Sequence, residues 1–219
     1  MAIARELARL AYPAETYRAM NMRSWEVASR RALAIDPASA ALETDYPGIA
    51  DAALSAARPT AQIGIEQFVA RMLERNAGIL AERLTASEMK AAANMYRTPV
   101  VRRILISVLE GADLDPLSTG LANDSVASGS GSIDPAAIKR VEQAAVAQTA
   151  AKLTAAEHAT MIGYQQAPWF PKLVAARNEI ERRTLADVNT PDPAWIEKQQ
   201  AIMREAMLGF MTRSKRPAE

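Results

Sequence analysis

His158 is the only histidine of this 219-residue chain, and the chain contains no cysteine. Imidazole has the side-chain pKa best suited to proton transfer near neutral pH, so His158 is the first residue to weigh as a catalytic base. It follows Glu157 in the first turn of a predicted helix, where side chains are usually solvated. We therefore predict that His158 lies on the surface. A zinc site would need three carboxylates beside this one histidine, which is an uncommon set of ligands.

The other residues that could carry chemistry do not form a catalytic or metal-binding motif. Asp113, Asp115 and Asp124 lack the central glycine and the terminal glutamate of an EF-hand calcium loop. Gly129 and Gly131 have neither the Gly-Lys-Ser sequence nor the strand that would indicate a phosphate-binding loop, and no Gly-x-Ser-x-Gly elbow occurs. The sequence thus predicts a protein that is not an enzyme and has no catalytic, cofactor-binding or metal site.

The composition predicts an all-α fold. Hydrophobic residues make up 49% of the chain, but many are alanine, and aromatic residues make up only 5%. Alanine favours helices, whereas strands are rich in β-branched and aromatic residues. The net charge of +1 argues against a nucleic-acid surface, which normally carries a strong basic excess. The sequence contains no run of eighteen or more apolar residues, so it predicts no transmembrane segment.

One stretch of the chain occurs twice, and it sets the arrangement of the predicted helices. Residues 84–105 read LTASEMKAAANMYRTPVVRRIL, and residues 153–174 read LTAAEHATMIGYQQAPWFPKLV. In a gap-free alignment the initial Leu-Thr-Ala, the glutamate and the later proline coincide. Each copy also contains a tyrosine near the end of its first helix, but Tyr96 and Tyr164 are one position out of step in this alignment. This pattern predicts two helix-corner-helix units related by duplication and packed into a helical bundle.

Each copy has the residues that begin and end a helix. The threonine and the glutamate three positions later predict capping boxes, formed by Thr85 with Glu88 and by Thr154 with Glu157. The proline in each copy cannot comfortably continue that helix and suits the first turn of a new one. Tyr96 would then pack into the first corner, with its hydroxyl bonded to carbonyls at the helix end.

The first copy resembles the bacterial domain of unknown function 2059 family over roughly Ile63–Gly111. The family's hallmark is a Leu-Thr-Glu helix start followed by Phe-Tyr, Ser-Pro and Gly. In this chain Met95 replaces the phenylalanine, Thr98 the serine and Val101 the glycine. The resemblance implies an exported, all-helical protein and supplies no settled activity.

Proline and glycine positions divide the chain into four predicted parts. Residues 1–59 form N-terminal helices closed by Pro59, residues 60–111 form the first repeat, and residues 134–219 form the second repeat with a C-terminal helix. Residues 112–133 are rich in glycine, serine and aspartate and bury little apolar surface to offset the entropy of ordering. We predict that they form a flexible linker; a mobile lid over a groove is the alternative.

Two groups of apolar residues are candidates for a binding surface. Trp169 and Phe170 follow the second corner proline and form either its hydrophobic plug or the lip of an apolar groove. Met203, Met207 and Phe210 form a methionine-rich stripe on the last helix. Methionine adapts to irregular partners, although such a stripe also suits a helix that packs in the core.

These observations favour a non-enzymatic envelope protein that binds a protein or peptide partner. The alternative is a carrier that holds a small apolar or amphipathic, lipid-like ligand between the two repeats. Homo-oligomers are compatible with either function. The first fifteen residues do not form a signal peptide, because charges interrupt the apolar run. Together with the family resemblance, this predicts a mature periplasmic chain without its signal peptide, with a cytoplasmic protein as the alternative.

Overall fold

The computed structural model is all-helical throughout the part of the chain that it describes. The described residues are 1–111, 119–120, 122, 133–190 and 192–214. They form ten helices: α1 (Ala2–Ala11), α2 (Ala14–Ile35), α3 (Pro37–Asp45), α4 (Ile49–Arg83), α5 (Ala86–Arg97), α6 (Pro99–Gly111), α7 (Pro135–Ala150), α8 (Ala155–Gln165), α9 (Phe170–Val188) and α10 (Pro193–Ser214). This confirms the predicted all-α class, while the duplication of helix-corner-helix units stays a prediction. In this described part, no helix combines the length and the apolar character needed to cross a membrane.

The chain folds into two compact units, each drawn from three stretches of sequence. Unit 1 comprises Met1–Met20, Gln67–Asp113 and Pro135–Ala186. Unit 2 comprises Asn21–Glu66, Leu114–Asp134 and Asp187–Glu219. The four contiguous parts expected from the sequence stay a prediction. The predicted linker at 112–133 lies outside the described residues, apart from 119–120, 122 and 133.

Local sequence signals place the starts of α5, α6 and α8 where they were predicted, whereas the second corner prediction is wrong: Pro168 lies in the turn before α9, which begins at Phe170. Both capping boxes form: Thr85 with Glu88 at the start of α5, and Thr154 with Glu157 at the start of α8. In each box the threonine hydroxyl accepts from the glutamate amide, and the carboxylate accepts from the threonine amide. Pro99 is the first residue of α6, as predicted for the corner.

The helix break expected at Pro59 is wrong, because α4 runs through that residue for 35 residues in all. A proline inside a helix removes one backbone hydrogen bond and crowds the preceding turn, at a cost of about 3 kcal/mol. Ala57 and Ala61, on either side of Pro59, are both fully buried. Tertiary packing of α4 therefore outweighs the local preference for a break.

The core of unit 1 forms where α1 packs on α5, and where α6 packs on α5 and on α7. The buried face of α1 consists of Ala4, Leu7, Ala8 and Ala11. These positions recur at helical spacing, so small side chains and one leucine form a seam along the helix. Two ion pairs flank that seam: Arg5 with Glu74 of α4, at 3.0 Å, and Glu6 with Arg97 of α5.

Candidate binding site

The structure places the first predicted binding pair at the corner between α8 and α9. Trp169 and Phe170 are both half-buried, and their ring centroids lie 6.0 Å apart with the planes tilted by 60°. This tilted arrangement lies close to the edge-to-face geometry that aromatic pairs favour. The rings therefore contact each other and still present part of their surface to solvent.

The second predicted group lies in the core of unit 2. Met207 is only 9% exposed and packs in a cluster with Ile49 and Ala53. Met203 and Phe210 are partly buried against the same cluster. Folding of unit 2 thus already uses much of the apolar surface of the methionine stripe, and its role in partner binding stays a prediction.

The largest difference between the two motif copies lies in their first helices. Helix α5 buries five residues: Met89, Ala92, Ala93, Met95 and Tyr96. Helix α8 is capped in the same way but buries none of its residues. In the gap-free alignment, the counterparts of the five buried residues are His158, Met161, Ile162, Tyr164 and Gln165. We call these five residues the α8 face.

The α8 face combines apolar and polar side chains that solvent reaches. Ile162 is 52% exposed, while Met161 and Tyr164 are half-buried. His158 and Gln165 are exposed, which confirms the predicted surface position of the histidine. Sequence reasoning did not single out this face. The alignment with α5 could have identified it, because apolar residues occupy three of the five positions that α5 buries.

Two ion pairs connect the copies in an exchanged manner within unit 1. Glu88, in the first turn of α5, accepts a hydrogen bond from Lys172 of α9 at 2.6 Å. Glu157, in the first turn of α8, pairs with Arg103 of α6. In the gap-free alignment Glu88 coincides with Glu157 and Arg103 coincides with Lys172. Exchanging the copies in the alignment therefore turns one ion pair into the other.

The hydrogen bonds at these carboxylates favour their charged forms. Lys172 and the capping amide of Thr85 lower the pKa of Glu88 to about 2. The amide and hydroxyl of Thr154, together with Arg103, lower the pKa of Glu157. Both groups are therefore anions in the folded protein at neutral pH, so both exchanged pairs are charged.

Unit 1 also contains a cluster of tyrosines around one arginine. Tyr12 packs against Tyr17 with ring centroids 5.9 Å apart, and Arg177 acts electrostatically on both rings and on Tyr96. The guanidinium of Arg177 lies 3.6 Å from a carboxylate oxygen of Glu142 and 3.6 Å from one of Glu181. These residues come from distant parts of the chain, and apart from Tyr96 no sequence motif marked them.

Burial keeps the phenols of this cluster protonated. It raises the pKa of Tyr12 and of Tyr96, and it raises the pKa of Tyr17 to about 12. Burial, followed by the neighbouring charge of Glu142, raises the pKa of Glu181. A phenol with a raised pKa is a poor base near neutral pH, so we assign the tyrosines to packing. Tyr96 is 6% exposed, which confirms its predicted burial at the corner.

Two further features bear on metal and ligand binding. Within the described residues, no group of three or more His, Cys, Asp or Glu side chains is arranged to hold a metal ion. A shallow open groove in unit 2 runs along α2, where it is lined by Glu26, Val27, Arg30, Arg31 and Ala34. Three of these five residues are charged, and the groove is open to solvent rather than enclosed.

Comparisons with known proteins do not assign the chain to a family. No family model, no curated protein and no solved structure matches it. The resemblance to the domain of unknown function 2059 family therefore stays an expectation drawn from the motif.

Proposed function

We propose that this chain is a non-enzymatic helical protein that binds a protein or peptide partner through the α8 face. The observation that carries the proposal is the absence of buried residues in α8, although its aligned counterpart α5 buries five. Isolated helices of this length are marginal in water and usually need one packed face. Covering Met161, Ile162 and Tyr164 with a partner would supply that packing.

The corner beside α8 extends the proposed surface. Trp169 and Phe170 are half-buried at this corner, and Val174 in the first turns of α9 is 39% exposed. Interfaces are enriched in aromatic residues and methionine, with a polar rim around an apolar centre. The α8 face supplies Met161 and Tyr164, and its two polar members keep the uncovered surface compatible with water.

The carrier function has weaker support. A lipid-like ligand needs an apolar cavity that buries most of its surface. The groove along α2 is open, and its residues Glu26 and Arg30 form ion pairs with Arg58 and Asp51 at 2.8 and 2.7 Å. We therefore place partner binding first and keep the carrier as the alternative.

Location in the cell envelope belongs to the same proposal and follows from the family resemblance. It is tested by fractionating source cells and detecting the native chain with an antibody. Recovery of the chain in the periplasmic fraction supports export, whereas recovery with the cytoplasmic markers contradicts it.

The binding proposal is tested by comparing two isoleucine variants of the full chain expressed in its source. Ile162→Glu places a charge on the α8 face, and Ile63→Glu is the matched control, because Ile63 is 56% exposed in unit 2. We expect a stoichiometric protein partner to co-purify with the wild type and with Ile63→Glu. Ile162→Glu should weaken its binding by at least about tenfold, as for a central interface residue.

Native mass spectrometry of the same preparations distinguishes the alternatives. A partner that binds Ile162→Glu as well as it binds the wild type would contradict the proposed surface. A bound lipid in place of a protein would favour the carrier. Circular dichroism should show equal helicity for both variants, which separates lost binding from lost folding.

A further inference from the structure

The exchanged ion pairs indicate that the two motif copies of unit 1 are related by an approximate two-fold axis. Exposed ion pairs contribute little stability, so their value here is geometric. Glu88 reaches Lys172 across the copies, and Glu157 reaches Arg103 in the reciprocal direction. Such reciprocity arises when the same surface patch is used on both sides of a contact. Each position in one copy therefore has a structural counterpart in the other.

The counterpart of the α8 face is occupied in the first copy. Helix α1 packs on α5, and the residues of α5 at the aligned positions are buried. Among the helices of the described residues, none packs on α8 in the way that α1 packs on α5. The helix before α8 is α7, which packs on α6.

The α5 face that α1 covers and the α8 face differ in the charges that surround them. Glu74 and Arg97 form the ion pairs that flank α1. Arg97 coincides with Gln166 in the gap-free alignment, and the same offset, extended back into the helices that precede the repeats, pairs Glu74 with Gln143; both glutamines are uncharged. A helix with the charges of α1 would find no ionic partners at these two positions, whereas a helix with neutral polar residues there would fit.

From this we infer that the α8 face docks an amphipathic helix of a partner protein, in the orientation in which α1 docks on α5. This inference rests on the proposed partner-binding function and specifies its ligand. The docked helix should present small and aliphatic residues at the spacing of Ala4, Leu7, Ala8 and Ala11, with uncharged polar residues where α1 carries Arg5 and Glu6. Helix-in-groove recognition through such anchors is a common mode of peptide binding.

A second copy of this chain is a poorer occupant on the same grounds. Its own α1 is already seated on α5, and the charges of Arg5 and Glu6 match Glu74 and Arg97 rather than the two glutamines. If α1 of a second chain docked on the α8 face, Arg5 and Glu6 would meet glutamines in place of charged partners. This mismatch disfavours the docking, because specificity arises from mismatched partners as well as matched ones.

The test uses a peptide of residues Ala2–Tyr12, with a hydrocarbon staple between exposed positions 5 and 9 to hold the helix. The staple is needed because a peptide of this length is marginally helical. Two forms are compared, one with Glu6 and one with Glu6→Gln, and a Leu7→Asp form is the negative control. Each is titrated into the methyl-labelled full chain, with Ile162 as the reporter and Ile63 as the internal control.

We expect the Glu6→Gln peptide to shift the Ile162 methyl signal and to leave the Ile63 signal unchanged. The Leu7→Asp peptide should bind at least about tenfold more weakly, because a carboxylate would enter the apolar seam. Shifts confined to Met89 and Met95 of α5 would mean that the peptide displaces α1. That result, or an unmoved Ile162 signal, overturns the inference.

A charge-restoring variant tests the two-fold correspondence directly. Gln166→Arg places an arginine at the counterpart of Arg97, so the Glu6 peptide should now bind about two- to fivefold more tightly than to the wild type. The Glu6→Gln peptide should gain no such advantage. Equal changes for both peptides would overturn the proposed orientation.

Separate outcomes distinguish this inference from the function on which it rests. Peptide binding at Ile162 without any protein partner in the source would retain the docking geometry and reject the proposed function. If a partner contacts α8 through a strand or loop and no longer binds Ile162→Glu, the proposed function is supported and the inference of a docked helix is rejected. Self-association in sedimentation experiments that Ile162→Glu abolishes would identify a second copy as the occupant and overturn the inference.

Discussion

Two glycines in α4 should respond to alanine with opposite signs. Gly64 and Gly78 both lie inside this helix. A Cβ added at Gly64 would lie 2.4 Å from Nε1 of Trp195 and 3.1 Å from its Cε2, whereas one added at Gly78 meets nothing within 4 Å. The indole of Trp195 therefore packs directly against the backbone of α4 in unit 2, and only the absence of a side chain at Gly64 permits this approach.

The magnitudes follow from helix propensity and from overpacking. Replacing a glycine by alanine in a helix interior stabilises by about 0.5–1 kcal/mol, since alanine loses less backbone entropy on folding. Gly78→Ala should gain that amount. Gly64→Ala has the same gain, but displacing the indole costs about 1–3 kcal/mol. The free energy of unfolding of Gly64→Ala should thus fall below that of Gly78→Ala by about 1–3 kcal/mol.

Urea unfolding of both variants, followed by circular dichroism, measures this difference. Trp195→Phe removes the pyrrole ring that carries Nε1, so in that background most of the penalty at Gly64 should disappear. A double-mutant cycle gives the coupling between the two positions. If Gly64→Ala stabilises the protein as much as Gly78→Ala does, the indole is not packed at Gly64 and the reasoning fails.

Three further predictions concern the stability of the helices. Tyr96→Ala should lower the free energy of unfolding by about 3–5 kcal/mol through the cavity it leaves, and an unchanged melting temperature would show that Tyr96 is not a packed residue. Pro59→Ala should raise the free energy of unfolding by about 1–3 kcal/mol, because it restores a helix hydrogen bond at an exposed position; a loss would mean that the proline is required in α4. The pKa of Glu88 is lowered from 4.5 to about 2, so the stability from its pair with Lys172 is present above pH 4.5 and is lost as the pH falls toward 2. Between pH 4.5 and 2, the free energy of unfolding of Glu88→Gln should therefore depend less on pH than that of the exposed control Glu110→Gln. An equal pH dependence in the two variants would contradict the assignment.

Local residue chemistry specified where several helices of this protein begin. Capping boxes act within four residues of the chain, so Thr85 and Thr154 could be recognised as helix starts from their glutamates alone. The start of α3 is local in the same way: Asp36 accepts a hydrogen bond from the amide of Ser39 at 2.9 Å, and Pro37 begins the helix. The all-α class followed from an alanine-rich composition with few aromatics.

Long-range packing decided the features that no local signal could specify. Helix α4 continues through Pro59 because buried alanines on either side hold it in place, a gain that depends on other helices. Met207 became a core residue for the same reason, since amphipathic spacing predicts an apolar face but not what covers it.

The α8 face shows where sequence and tertiary structure each contributed. The repeat aligned α8 with α5, and both were correctly predicted as capped helices. Whether a helix is buried depends on a neighbour supplied from elsewhere in the chain, and α1 provides one for α5. The exchanged pairs of Glu88 with Lys172 and Glu157 with Arg103 likewise join residues far apart in sequence. Repetition in the sequence therefore specified two similar capped helices, and only the tertiary structure buried the face of one and left the face of the other exposed.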